Sequence, residues 1–318
     1  MDQWERERRQ AEALMLREHC GRFSRMGWAL FAMAVVSQVV QYAAVGLAQV
    51  LAPGLAGNMV FLWALNLVSV YLLGFPAFAA VIRGLPAPGP ARETEDRPLG
   101  AVRFFQVYCI SLAGLYLSNY VTLGLTGLIG RLRGVPVSNP AEIIVGYPAA
   151  LSLILACVVA PVVEELIFRK LLLERLRPYG DKFAMCASAL CFGLFHGNLS
   201  QFLYAFVIGL IFAYVVLRTG RVWQSMLLHA MVNFVSAGLV PLLEPLGTIG
   251  GAILGLFVLG MIFQGIVFFI ALRRELWFRQ GNTGFREARK WELFFGNPGM
   301  IFFCVVAGLT IVSSLLVL

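Results

Sequence analysis

Six polar side chains lie within stretches of this 318-residue sequence that are otherwise apolar. Charged groups and histidines are costly in a hydrocarbon environment, so each of them is a candidate for function. Together they supply carboxylates, imidazoles and hydrogen-bond donors, the groups that activate water and stabilise developing negative charge during hydrolysis. The six residues are Glu164, Glu165, Arg169, His196, His229 and Asn233.

The first three of these residues form a Glu-Glu-x-x-x-Arg motif in one apolar stretch. Glu165 and Arg169 are four residues apart, so they share a face of a helix and can form an ion pair. Glu164 is rotated by about 100° from Glu165 and can point elsewhere. Snorkelling of charged side chains at the end of a span would account for Arg169. It gives an unpaired Glu164 no advantage, so Glu164 is the stronger candidate for chemistry.

The other residues belong to a Phe-x-x-x-His motif and a His-x-x-x-Asn motif. Phe192 and His196 would share a helix face, although a lone histidine beside a turn can equally be structural. His229 and Asn233 would present two hydrogen-bonding groups to one place, although this pair alone could equally link two helices. Taken together, the three motifs favour a chemical role, since they combine a carboxylate base, an imidazole and a pair of donors.

The composition indicates that helices of a membrane protein must position these residues. Only 13% of the residues are charged, 59% are hydrophobic, and the mean hydropathy is +0.80. Soluble globular domains have about 25% charged residues. Apolar runs of about 20 residues predict an all-α, polytopic bundle of about eight or nine transmembrane helices. The predicted spans are 26–51, 58–82, 102–130, 148–173, 183–199 (short enough to be partly re-entrant), 200–217, 222–243, 247–272 and 300–318.

The basic residues lie mostly on one side of these predicted spans. Of the 25 Lys and Arg residues, only Arg131 and Arg133 fall on the side opposite the N-terminus, and Arg169 lies within a span. Positive residues resist translocation, so we expect a cytoplasmic N-terminus and an external C-terminus. The net charge of +8 then faces the anionic inner membrane surface, and we expect no nucleic-acid partner. The compact length and absence of a targeting signal favour a bacterial plasma membrane.

The three motifs, in this order on successive apolar helices, resemble those of the CPBP family. This is the CAAX protease and bacteriocin-processing family, also called the Abi family, which includes the type II CAAX prenyl endopeptidases. The segment from Ala205 to His229 also resembles the sequence that usually leads up to the family's last motif. The resemblance covers roughly residues 148–235, less than a third of the chain.

The resemblance implies an intramembrane endopeptidase with a four-helix catalytic core whose cavity opens towards the cytoplasm. Its substrate would be a membrane-associated peptide or protein. Matched residue by residue, Glu164 and His196 would activate the attacking water, and His229 and Asn233 would stabilise the oxyanion. The supporting residues would be Glu165, Arg169 and Phe192.

Composition and the resemblance together divide the chain into four regions. The linker 83–101 is rich in proline and charge, and the loop 273–299 is basic and aromatic, so we expect both in the cytoplasm, the loop on the membrane surface. Glu244 is predicted to be an interfacial loop residue. The four regions are a cytoplasmic segment at 1–25, N-terminal transmembrane helices at 26–147, the CPBP-like core at 148–243 and C-terminal helices at 244–318.

Metal dependence stays open from the sequence. Glu164, His196 and His229 could bind Zn²⁺ and leave one position open for water. The sequence has no His-Glu-x-x-His motif, however, and Asn233 is a poor zinc ligand. We therefore favour a glutamate-dependent mechanism without a cofactor, with zinc as the alternative.

Two other classes of function are compatible with a polytopic membrane protein. The main alternative is a non-catalytic scaffold, or a self-immunity or regulatory protein, that uses the same fold to bind a partner. A transporter would carry its substrate along polar residues, often between inverted repeats. Here the polar residues cluster and no repeat relates the two halves, so a transporter is disfavoured.

Overall fold

The computed structural model describes residues 3–86, 97–137 and 147–316 of the chain. These residues contain helices but no β-strand, apart from one isolated bridge between Gly180 and Gln280. The predicted all-α, polytopic fold is therefore confirmed.

Ten helices, numbered in chain order, contain most of the described residues. Four π-helical segments, in which the helix is locally wider than an α-helix, interrupt or follow them at Leu67–Gly74, Leu155–Val159, Leu166–Leu173 and Val235–Leu239. The helices are α1 (Gln3–Leu51), α2 (Met59–Ile82), α3 (Ala101–Arg133), α4 (Ala149–Tyr179), α5 (Asp181–Phe195), α6 (Leu199–Thr219), α7 (Val222–Phe234), α8 (Gly247–Leu272), α9 (Glu287–Phe295) and α10 (Pro298–Leu316).

Seven helical stretches of the described residues are long and apolar enough to cross a membrane. They overlap every predicted span except 183–199. The corresponding helix, α5, has only 15 residues and is about 22 Å long, shorter than a hydrocarbon core of about 30 Å. The predicted spans 222–243 and 247–272 form one stretch, Val222–Glu275, which is interrupted at Gly247, where φ is +54°.

Helix α1 joins two regions that the sequence separates. It continues without a break from Gln3 to Leu51, so residues 3–25 of the predicted N-terminal segment and the first span belong to one helix. Its 49 residues extend about 74 Å, more than twice the thickness of a hydrocarbon core. The N-terminal half can therefore project beyond the membrane while remaining helical.

Helices α4, α5, α6 and α7 pack around a common centre. Helix α5 contacts α4 and α6, α7 contacts α4 and α6, and α6 also contacts α4. Gly193 permits a close approach of α5 to α6, because a Cβ there would lie 2.9 Å from the carbonyl oxygen of Phe202. The remaining helices surround this group, with α1 against α2 and α10, and α3 against α6 and α8.

Helices α5 and α6 form a hairpin that returns to the end of the bundle where it began. Arg218, near the end of α6, forms an ion pair with Asp181 at the start of α5. The short length of α5 therefore does not change the side of the membrane on which α6 ends.

Segments predicted to be cytoplasmic meet at one end of the bundle. Arg25 of α1 donates a hydrogen bond to the carbonyl oxygen of Gly84, with an Nη1–O distance of 3.2 Å. Arg103 at the start of α3 pairs with Glu275, just after α8, with an Nη2–Oε2 distance of 2.9 Å. Residues 87–96 of the predicted linker lie outside the described residues. The structure thus groups these loops on one side, and their cytoplasmic location stays a prediction.

We predict that a cysteine replacing Arg274 is labelled only from the cytoplasm, whereas one replacing Leu55 is labelled from outside. Both positions are exposed in the structure, and basic residues resist translocation. The measurement is labelling of intact cells with a membrane-impermeant maleimide, after replacement of the six native cysteines. Labelling of Arg274→Cys from outside would contradict the predicted membrane orientation.

Candidate active site

All four π-helical segments adjoin residues of the predicted site or contacts to it. Glu164 and Glu165 lie between the two π segments of α4, and Asn233 lies just before the π segment Val235–Leu239. The fourth segment lies in α2 and contains Tyr71. Such segments are rare in proteins overall but occur often at functional sites. The extra residue in the turn shifts the direction of neighbouring side chains.

Glu165 and Arg169 form a buried ion pair on α4. Their Oε2 and Nε atoms are 3.2 Å apart, and both side chains are 0% exposed. The Arg169 guanidinium carbon also lies 4.5 Å from the ring centroid of Phe192 and 5.8 Å from that of Phe212, which is cation–π geometry. Within the described part of the chain, Nη1 and Nη2 of Arg169 have no hydrogen-bond partner. Glu165 and the two aromatic rings therefore provide its electrostatic compensation.

His229 lies between the two adjacent carboxylates of α4. Its Nδ1 atom is 3.1 Å from Oε1 of Glu165, and its Nε2 atom is 3.8 Å from Oε2 of Glu164. The carboxylate of Glu165 accepts, so Nδ1 carries a hydrogen. Nε2 is then an acceptor on the neutral ring and a donor only on the protonated ring.

His196 is held at the C-terminal end of α5. Its Nδ1 atom is 2.8 Å from the carbonyl oxygen of Phe192, which can only accept, so Nδ1 donates and Nε2 is an acceptor on the neutral ring. The Phe192 ring meets the His196 ring edge-on, with 4.9 Å between centroids. Glu164 is near enough to interact electrostatically with His196. The phenylalanine of this motif therefore orients the histidine through its backbone and its ring.

Asn233 links α7, on which it lies, to α4. Its Nδ2 atom donates to the carbonyl oxygen of Ala156, in the first π segment of α4, with a distance of 2.8 Å. This is the helix-linking role that the sequence left open. One N–H of the amide remains beyond that bond, so Asn233 retains one donor for a substrate.

Two tyrosines that the sequence motifs do not include also lie near Glu164. The hydroxyl of Tyr71 on α2 lies 3.4 Å from Oε1 of Glu164. Tyr204 on α6 accepts a hydrogen bond from Nε2 of Gln201 at 3.0 Å and interacts electrostatically with Glu164. Polar hydroxyls within apolar runs were the available signal, but tyrosine is too common near membrane interfaces for that signal to single them out.

A cavity of about 270 Å³ is lined in part by the residues that directly follow His229 and Asn233 in the sequence. It is lined by Tyr108 of α3, Cys157 of α4, and Ala230, Met231 and Phe234 of α7. A larger cavity of about 510 Å³ is lined by the end of α3 and residues 134–137 and contains none of the site residues. None of the six motif residues lines the smaller cavity either.

The donor side chains of the described residues are too far apart for a metal site with three protein ligands. No group of three His, Cys, Asp or Glu side chains among residues 3–86, 97–137 and 147–316 is close enough to hold a metal ion. The predicted zinc ligands Glu164, His196 and His229 therefore do not form a three-ligand site in this arrangement, and the mechanism below uses no metal.

Residues 146–235 match the family model described as "Type II CAAX prenyl endopeptidase Rce1-like". The resemblance predicted from the motifs is confirmed. The matched segment contains α4 to α7 and all six motif residues, whereas α1 to α3 and α8 to α10 lie outside it.

One curated relative supports the same assignment. This chain is 35% identical over 84 residues to "Putative membrane peptidase YdiL" of Bacillus subtilis (strain 168). The aligned part is 26% of this chain and 34% of the relative, so the chain spans about a third of that protein's length. No solved structure gives a significant match.

We predict that Arg169→Ala destabilises the protein by about 3–5 kcal/mol, because it leaves the buried carboxylate of Glu165 without its cation. Lower yield and a lower melting temperature of the purified protein in detergent would accompany any loss of activity. The matched control is Lys170→Ala, which breaks the exposed pair with Glu174 and should cost about 0–1 kcal/mol. Wild-type melting of Arg169→Ala together with lost activity would instead move Arg169 into the catalytic machinery.

Proposed function

We propose that the protein is an intramembrane endopeptidase that hydrolyses a peptide bond of a membrane-associated protein or peptide. The observation that carries the proposal is the contrast between two adjacent carboxylates. Glu165 is fully buried and bound to Arg169 and His229, whereas the side chain of Glu164 is 15% exposed and lies 3.8 Å from Nε2 of His229. One carboxylate is structural, and the other is free to react. The family match and the relative named a membrane peptidase support this proposal.

Glu164 acts as the general base in this proposal. It takes a proton from a water molecule while the water oxygen attacks the carbonyl carbon of the scissile bond. Nε2 of His196, an acceptor on the neutral ring, holds the same water molecule. Glu164 then delivers the proton to the leaving nitrogen as the C–N bond breaks, which restores the carboxylate.

His229 and Asn233 stabilise the oxyanion of the tetrahedral intermediate. Because Nδ1 of His229 already donates to Glu165, Nε2 can donate to the oxyanion only from the protonated ring. Asn233 contributes the N–H that does not bond to Ala156. Donors placed in advance at the oxyanion position stabilise the transition state without reorganisation during the reaction.

The proposed location is a bacterial plasma membrane, with the N-terminus and the opening of the active-site cavity on the cytoplasmic side. The basic residues grouped at one end of the bundle would then face the anionic inner surface. The partners are the lipid bilayer and the membrane-associated substrate, with no nucleic acid.

We predict that Glu164→Gln abolishes cleavage of the natural substrate, because an amide cannot accept the proton of water. The measurement is N-terminal proteomics of membrane fractions from cells that express the native or the variant protein. New N-termini, which arise by cleavage in cells with the native protein, should be absent from cells with the variant. The matched control is Glu174→Gln, the same substitution on the same helix at a carboxylate that pairs with Lys170, which should leave the new termini intact.

The same comparison decides between the peptidase and the alternative function. A non-catalytic scaffold, or a self-immunity or regulatory protein, would keep its phenotype and the N-terminal profile after Glu164→Gln. That result would overturn the peptidase proposal.

We also predict that the site residues fail to different degrees. His196→Ala should lose nearly all turnover, whereas Asn233→Ala removes one donor and should lower kcat by about 100- to 1000-fold.

The measurement that tests the metal-free mechanism is the zinc content of the purified protein, together with its activity after exhaustive chelation. Stoichiometric zinc, with activity lost on removal and restored on addition, would contradict that mechanism and leave the peptidase assignment standing.

A further inference from the structure

Helix α2 brings a tyrosine hydroxyl to the carboxylate proposed as the base. Oη of Tyr71 lies 3.4 Å from Oε1 of Glu164. Since a carboxylate only accepts, the hydroxyl is the donor. Tyr71 is half-buried, in the π segment Leu67–Gly74. It precedes residues 146–235, so the group that contacts the base comes from outside the family-matched segment.

Contacts on both sides of α2 hold Tyr71 in place. Two helical turns before it, Nε1 of Trp63 donates to the carbonyl oxygen of Leu151 on α4, at 2.9 Å. Towards α1, Nε2 of Gln41 donates to the hydroxyl of Ser69 at 2.9 Å. Helix α2 is therefore fixed to the helix that carries Glu164, and the position of the Tyr71 hydroxyl relative to Glu164 is determined by packing.

The two oxygens of Glu164 have different neighbours. Oε1 faces the hydroxyl of Tyr71, and Oε2 faces Nε2 of His229 at 3.8 Å. We propose that Tyr71 is a positioning residue of the peptidase site, whose hydroxyl orients Glu164 so that Oε2 receives the proton of the attacking water. This inference rests on the proposed function, and it implies that the N-terminal helices complete the active site.

The first experiment tests the contact without a substrate. Melting of the purified full-length protein in detergent is compared for Tyr71→Phe, Glu164→Ala and the double variant. We expect Tyr71→Phe to lower the melting temperature in the native background and to have no further effect once Glu164 is alanine, because the acceptor is then absent. Equal effects of Tyr71→Phe in both backgrounds would overturn the contact.

The second experiment tests the role in catalysis, with a fluorogenic peptide that spans the Glu164-dependent cleavage site found by proteomics. A hydrogen bond to a charged group is lost in Tyr71→Phe, so kcat should fall by about 10- to 100-fold. KM should change by less than about twofold, since the hydroxyl contacts Glu164 and not the substrate. The matched control is Tyr116→Phe on α3, a half-buried tyrosine outside the site, which should keep wild-type kcat and KM.

The outcomes separate this inference from the proposed function. Wild-type kcat in Tyr71→Phe, with Glu164-dependent cleavage intact, would overturn the role of Tyr71 alone. Absence of any Glu164-dependent cleavage would overturn the peptidase proposal and the positioning role together, and the melting experiment would still decide whether Tyr71 binds Glu164.

Discussion

The buried ion pair of Glu165 and Arg169 is the interaction on which the rest of the site depends. Removing two charges from water costs several kcal/mol for each ion, so such a pair persists only where the surroundings compensate both partners. Here the carboxylate also binds His229 of α7, and the guanidinium lies against Phe192 of α5 and Phe212 of α6. Four helices thus meet at one electrostatic centre, and a shift of any of them would leave a charge uncompensated.

This electrostatic centre places two adjacent residues of α4, Glu164 and Glu165, in different environments. Glu165 is fully buried and its oxygens contact Arg169 and His229, whereas Glu164, about 100° further around the helix, is partly exposed and faces His229 and Tyr71. Two carboxylates with the same intrinsic acidity can take separate roles when their environments differ. The structural carboxylate also sets the hydrogen-bonding direction of His229, so Nε2 can donate in the proposed oxyanion role only from the protonated ring.

The π segments explain how regular membrane helices accommodate these polar contacts. A carbonyl released from the α-helical pattern needs another donor, since no water is present in the hydrocarbon region. The carbonyl oxygen of Ala156, in a π segment, accepts from Asn233. The wide turn of α2 likewise carries Tyr71, which contacts Glu164. Local irregularity and polar contacts therefore occur together, and the N-terminal helices share in them.

Local patterns in the sequence were enough to predict the membrane helices, the pairing of Glu165 with Arg169, and the family resemblance. Apolar run length and four-residue spacing depend on nearby residues, so they can be read without the fold. The sequence could not show that α5 ends at Phe195 or that Tyr71 reaches Glu164, 93 residues away in the chain. Nor could it show that Asn233 binds Ala156. These contacts depend on helix packing and on π turns, which change the direction in which side chains point. Only the tertiary structure determines both.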